Sequence, residues 1–193
     1  PKPAPNQVLV KVAGFGLNYA DVMARNGLYR DAPPLPCILG YEAVGTVAEI
    51  GSEIKNVSVG QRVLAFTRFG AYAEYVLTQG RAVVPIPDTM DNGTAVALAT
   101  QYCTAYFAAY EMVNLYPGDH VLIHAAAGGV GIALVQLAKL KGCTVYGTAG
   151  SDEKIKFLKS SGVDYPINYN TQDFVEEIKN IQKDLLPSLR RGA

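Results

Sequence analysis

The chain has 193 residues, and its 17 lysines and arginines are balanced by 17 aspartates and glutamates. Apolar residues make up 49% and charged residues 18%. That is enough apolar material for a buried core, too little charge for a disordered chain, and no electrostatic basis for binding nucleic acid. No apolar run approaches the roughly 18 residues of a membrane span, and no basic start with an apolar stretch marks a signal peptide. A cytoplasmic protein with a small-molecule partner is the expectation. Cys37, Cys103 and Cys143 are odd in number and far apart, which fits neither a disulfide framework nor a zinc cluster. They are expected to be core thiols.

The first half is written in short apolar runs broken by turns. Strands are expected at residues 7–12, 44–50, 61–66 and 71–76, with one or two helical turns over 18–25 and a close at Pro85-Ile86-Pro87. Several short strands with frequent turns predict a small β barrel. From Asp91 the period changes: residues 94–113 carry Ala and large apolar residues at helical spacing. Strands at 120–124, 144–148 and 165–168 then alternate with helices at 129–141, 151–160 and 171–182. Alternation at that spacing is the grammar of right-handed βαβ units on a parallel sheet. Two domains are expected, residues 1–94 and 95–193. His120 and His124 face the same side of a buried strand and read as satisfied core residues. Tyr102, Tyr106 and Tyr110 recur at helical spacing and read as a packed face.

Ala126-Ala127-Gly128-Gly129-Val130-Gly131 follows the 120–124 strand and opens a helix. It is a relaxed dinucleotide fingerprint in the required strand–turn–helix context, with Ala126 in the first glycine place. Gly128 allows close approach of a pyrophosphate and Gly131 allows the helix to pack on the strand. Free N–H groups at the helix start then hold phosphate. NAD sites place an acid about 20 residues further on, at the tip of the next strand. This strand instead ends Tyr146-Gly147-Thr148-Ala149-Gly150. Ser151 and Lys154 follow, a hydroxyl and an ammonium suited to a 2′-phosphate, so NADP(H) is expected over NAD(H). Asp152 and Glu153 lie beside them and pull the other way. Ser151 also reads as an ordinary N-cap and Lys154 as a solvated lysine.

Further stretches carry a family resemblance: Gly16-Leu17-Asn18-Tyr19-Ala20-Asp21, Arg25 to Tyr29, Leu39-Gly40-Tyr41-Glu42, Gly60 to Val63, Gly70 to Tyr75, Thr104-Ala105-Tyr106 and His124 to Gly131. The chain resembles the zinc-independent medium-chain dehydrogenase/reductase superfamily in its quinone oxidoreductase branch. Asn18 to Tyr29 and Gly162 to Tyr169 look most like the synaptic-vesicle amine-transport subgroup. The resemblance implies a GroES-like β barrel followed by a Rossmann domain, with NADPH-dependent hydride transfer to a quinone or α,β-unsaturated carbonyl. It also implies Asn18 and Tyr29 as polar groups toward substrate, Thr104 near the nicotinamide and Tyr169 near the adenine-ribose end. Together with Ala127, Gly128, Gly129, Val130, Gly131, Ser151 and Lys154 these are the expected site residues. Asn18 and Tyr29 read alternatively as a turn residue and a packed aromatic, and Thr104 and Tyr169 read equally as strand or helix residues that serve packing.

Zinc-dependent cousins carry a His where this chain has Tyr41, and a Cys near the place of Asn18. No metal is therefore expected. Some quinone oxidoreductases have a further Tyr where Met23 stands. The family's opening strand is missing before Pro1, and Lys183 to Ala193 matches nothing of the family's next strand. On this reading the Rossmann sheet is incomplete and lacks the edge strand through which relatives form homodimers. A non-catalytic NADPH-binding or vesicle-associated protein, and an inactive fragment, stay open beside the reductase.

Overall fold

A computed structural model describes residues 1–189, with side chains through residue 183. The chain divides into two compact units, Pro1–Thr100 and Gln101–Ala193. The division lies beyond the expected 94/95 boundary because α2 (Asn92–Ala97) packs on β1 and β2 of the first unit.

In the first unit, β1 (Gln7–Phe15), β2 (Glu42–Ile50), β3 (Arg62–Phe66), β4 (Tyr75–Gln79) and β5 (Val83–Pro85) form one antiparallel sheet in the order β4-β1-β2-β3-β5. The period-two pattern points Val8 and Val10 inward, where they meet Val47, Val63 and Val76 in one core. The sheet curls around that core, and Thr78 on β4 donates to the Phe66 carbonyl at the end of β3 (2.6 Å). The strand expected at 71–76 begins only at Tyr75. Its first residues are used elsewhere: Tyr72 N–H donates to Leu39 and Ala73 N–H to Ala71, which makes a turn rather than a ladder. α1 (Tyr19–Arg25) is the short helix expected after Asn18.

The 94–113 helix is present as α2, α3 (Cys103–Tyr106) and two stretches of π-helical winding, Leu98–Tyr102 and Phe107–Met112. In the second unit, β6 (His120–Ile123), β7 (Thr144–Ala149) and β8 (Tyr165–Asn168) pair in parallel in the order β6-β7-β8. α4 (Gly129–Leu140) and α5 (Asp152–Ser160) connect them. Val135 and Ala138 of α4, Leu158 of α5, and Ile123 and Val145 of the strands share one core. Burial of each large side chain there contributes about 1.5–3 kcal/mol before entropy.

α6 runs Phe174–Leu189 rather than ending at residue 182, so it takes in most of the stretch that resembled nothing; residues 190–193 lie outside the described part. β6 is not a buried strand: His120, Leu122 and His124 are exposed, because α4 covers only one of its faces.

Candidate functional site

The second unit brings Ala127 to Gly131, Ser151, Lys154 and Tyr169 to the carboxyl ends of its parallel strands, where ligands of open α/β sheets bind. Ala125, in the turn that follows β6, has φ +50°, a left-handed conformation. Ala126 N–H donates to Thr148 O (3.0 Å) and fastens this turn to β7. Gly128 N–H is spent inside the loop on Ala125 O (2.8 Å), and the helical ladder opens only with Ile132 N–H on Gly128 O (2.8 Å). The N–H groups of Gly129, Val130 and Gly131 therefore precede the ladder, the orphan donors of a helix start at its positive dipole end. Gly131 is obligatory: a Cβ there would lie 2.3 Å from Ala125 O and 2.7 Å from Ala126 Cα. Ala127 lies half-buried beside this loop.

At the end of β7, Ser151 caps α5 by accepting Lys154 N–H on Oγ (3.3 Å). The Lys154 side chain is exposed. Tyr169, 53% exposed, follows β8 and lies against Gly150. Thr104 is exposed on α3, which packs on α4. The sequence reading missed Gln101, whose side-chain amide lies so close to Gly129 that a Cβ there would sit 2.5 Å from it.

The first unit builds its site from side chains. Asn18 Nδ2 donates to both carboxylate oxygens of Glu42, at 2.9 and 3.1 Å. Two oxygens of one carboxylate subtend a narrower angle than the two N–H bonds of an amide, so one N–H serves both and the other is left to donate. Glu42 is fully buried and also accepts the Thr100 hydroxyl. Asp21, also buried, accepts Asn18 N–H (3.1 Å) and Gly40 N–H (3.0 Å), fixing α1 to the loop before β2. A pocket of about 540 Å³ opens beside Asn18, walled by Leu17, Val22, Ile38, Leu39 and Tyr72. Glu42 was legible only as part of a family motif. A carboxylate opening the apolar strand Glu42-Ala43-Val44 is the signal that marks it.

Tyr29 does not line this pocket. Its ring meets Tyr41 edge-on, with centroids 6.3 Å apart. The Tyr41 and Tyr72 hydroxyls are buried without an aligned hydrogen bond. Burial first, then the nearby Tyr29 phenol, pushes the Tyr41 phenol well above the ordinary tyrosine range. Burial first, then the neighbouring Asp21 carboxylate, does the same to Tyr72. Both stay protonated donors at neutral pH.

Other expectations need correction. The two histidines are exposed rather than core, with His120 Nδ1 3.1 Å from Tyr146 Oη and His124 Nδ1 3.1 Å from Thr148 Oγ1. Only Cys143 is a core thiol, its pKa raised by burial and by Asp119. Cys37 is half-buried and Cys103 exposed, because Cys103 lies on the uncovered side of α3. Tyr106 stacks on Tyr110 with centroids 4.7 Å apart, yet Tyr106 is half exposed. Among the described residues, no group of three His, Cys, Asp or Glu side chains could hold a metal ion, and no helix is long and apolar enough to cross a membrane.

Comparison with known proteins agrees with this architecture. The alcohol dehydrogenase GroES-like domain matches residues 4–88, and the zinc-binding dehydrogenase domain matches residues 129–187. The second match runs into the stretch after Gln182 that had resembled nothing. The human synaptic vesicle membrane protein VAT-1 homolog is 43% identical over 182 residues, covering 94% of this chain and 46% of that protein. The Escherichia coli quinone oxidoreductase solved with NADPH superposes with TM-score 0.90 at 33% identity, over 95% of this chain and 56% of that one. The CurK enoyl reductase does so with TM-score 0.87 at 33% identity, over 95% and 57%. This chain thus spans about half the length of the relatives it matches. With a GroES-like unit followed by a Rossmann unit, it belongs to the medium-chain dehydrogenase/reductase superfamily, in the quinone oxidoreductase branch.

Proposed function

We propose that this protein binds NADPH and reduces a small quinone or α,β-unsaturated carbonyl without zinc. The observation that carries the reading is the bare start of α4. Three orphan N–H groups stand at Gly129, Val130 and Gly131, behind a turn that admits no larger residue at 131. The Escherichia coli relative, solved with NADPH, supports the same cofactor. When bound, NADPH supplies hydride. The protein's own task is to place the acceptor and to donate to its oxygen as charge grows there. Asn18 fits that task, since Glu42 aims its amide and leaves one N–H over. The Tyr29 phenol is the second candidate donor in this unit, and Thr104 the candidate contact toward the nicotinamide. Amide and phenol at positions 18 and 41 are a poor zinc set beside thiolate and imidazole.

The quinone and enoyl reductase relatives support an activated double bond as substrate. The same reading makes this a cytoplasmic protein with a small-molecule partner. The test is NADPH oxidation with a simple ortho-quinone and with an enone, against a saturated ketone as control. Turnover of the first two and not the third is expected, lowered at least tenfold in kcat by Asn18→Leu, the scale of one lost charge-stabilising donor. NADPH binding with no turnover of either acceptor would instead mark a non-catalytic NADPH-binding protein.

A further inference from the structure

The start of α5 carries a conflict. Asp152 occupies the first helical position, where a carboxylate is favoured by the helix dipole. The same carboxylate lies two residues from Lys154, at the place proposed for the cofactor's 2′-phosphate, where negative charge is unwelcome. The structure shows what becomes of it. Asn168, at the end of β8 and only 6% exposed, donates from Nδ2 to Asp152 Oδ1 at 2.8 Å.

The Asn168 amide cannot turn away. Its Oδ1 accepts Asn170 N–H (3.1 Å), its own N–H donates to Gln172 Oε1 (3.1 Å), and its carbonyl accepts Gln172 N–H (2.9 Å). With Oδ1 committed to a backbone donor, Nδ2 must face Asp152. The same turn grips the end of β7: Asn170 Nδ2 donates to Gly150 O (2.7 Å), and Tyr169 stands where a Cβ on Gly150 would lie 2.4 Å from its hydroxyl. Residues 168–170 thus hold the β7–α5 turn in one geometry, and Asp152 is drawn toward β8.

We propose that Asn168 is a specificity-determining positioning residue: by holding Asp152 against β8 it leaves Ser151 and Lys154 to the 2′-phosphate and so produces a preference for NADPH over NADH. This rests on the NADPH reading above. Asn168 touches no cofactor in this account and acts only through Asp152. Glu153 is exposed beside them and unchanged in every comparison, so it contributes the same background throughout.

The test measures NADPH and NADH dissociation constants of the full chain by nicotinamide fluorescence for four proteins: parent, Asn168→Ala, Asp152→Asn and the double variant. Asn168→Ala releases the carboxylate, and the NADPH:NADH preference falls about fivefold, the scale of one partly screened charge interaction. Asp152→Asn leaves the preference within about twofold of the parent, because its charge is already turned aside. The double variant recovers the parent preference, which a merely structural loss at Asn168 would not allow. A preference unmoved by Asn168→Ala overturns the proposal, and so does a several-fold gain in NADPH affinity with Asp152→Asn alone. Should Asn168→Ala not fold, Asp152→Asn still decides: a preference within twofold supports the proposal and a gain overturns it. A parent chain with no NADPH preference overturns the cofactor reading itself, which is a separate and recognisable result.

Discussion

In the parallel-sheet unit the proposed site rests on backbone N–H donors at Gly129, Val130 and Gly131, whereas in the antiparallel unit it rests on side chains, first among them one amide. That amide, Asn18, is aimed by a carboxylate 24 residues away in sequence. The two constructions fail differently. A backbone site depends on what is absent, since any Cβ at Gly131 collides with main chain. A side-chain site depends on what is buried, since Asn18 is aimed by a Glu42 carboxyl that is itself buried and bonded to Thr100 as well.

The strongest way to break this comparison is Gly131→Val. Its side chain has no room against Ala125 and Ala126, so we expect loss of saturable NADPH binding and destabilisation of the second unit by about 2 kcal/mol or more. Nicotinamide fluorescence and thermal unfolding read the two effects. The counterpart in the first unit is Glu42→Leu. It removes the acceptor for Asn18 and Thr100 and leaves their donors unpaired, at a cost of about 2–4 kcal/mol. Urea unfolding followed by tyrosine fluorescence should show this, the chain having no tryptophan. NADPH affinity should change by no more than about twofold, because Glu42 bonds to none of the loop residues.

Lys154→Ala sharpens the cofactor side. About a tenfold loss of NADPH affinity with NADH unchanged is expected, since only the 2′-phosphate distinguishes the two. An unchanged NADPH affinity would remove Lys154 from the site.

The smallest expected effect lies at Asp164. Its carboxylate binds Lys139 Nζ (2.8 Å) and accepts Val145 N–H (2.7 Å), pinning the loop before β8 to β7. Partial burial works to raise its pKa, but the Lys139 and Val145 hydrogen bonds outweigh burial and hold it below the usual carboxylate range. A carboxyl depressed in the folded state stabilises at pH above its unfolded pKa, and that stability is lost as pH falls through the folded value. The side chain is 37% exposed, so solvent screening limits the Asp164→Asn cost to about 1 kcal/mol or less at neutral pH. The deficit should stay constant down to about pH 5 and shrink below about pH 4. Melting temperatures of both proteins across that range give the check.

The same contrast explains what the sequence made legible. The strand–turn–helix around Gly128 could be read because its signals are local: a strand, a glycine turn and a helix start are contiguous in the chain. The β8 strand at 165–168 and the Ser151 cap were legible for the same reason. The anchoring of Asn18 was not, because its partners Glu42 and Thr100 come from other elements and are joined only by the fold. The histidines misled because an apolar-looking run at 120–124 says nothing of how many faces its strand has covered. Gln101 gave no signal either, since an amide on a helix becomes a neighbour of Gly129 only through packing.

The most direct measurement is a titration of this chain with NADPH, followed by nicotinamide fluorescence, with NADH alongside. The account predicts saturable binding that favours NADPH and disappears in Gly131→Val. A folded chain that shows no saturation with either nucleotide would contradict it.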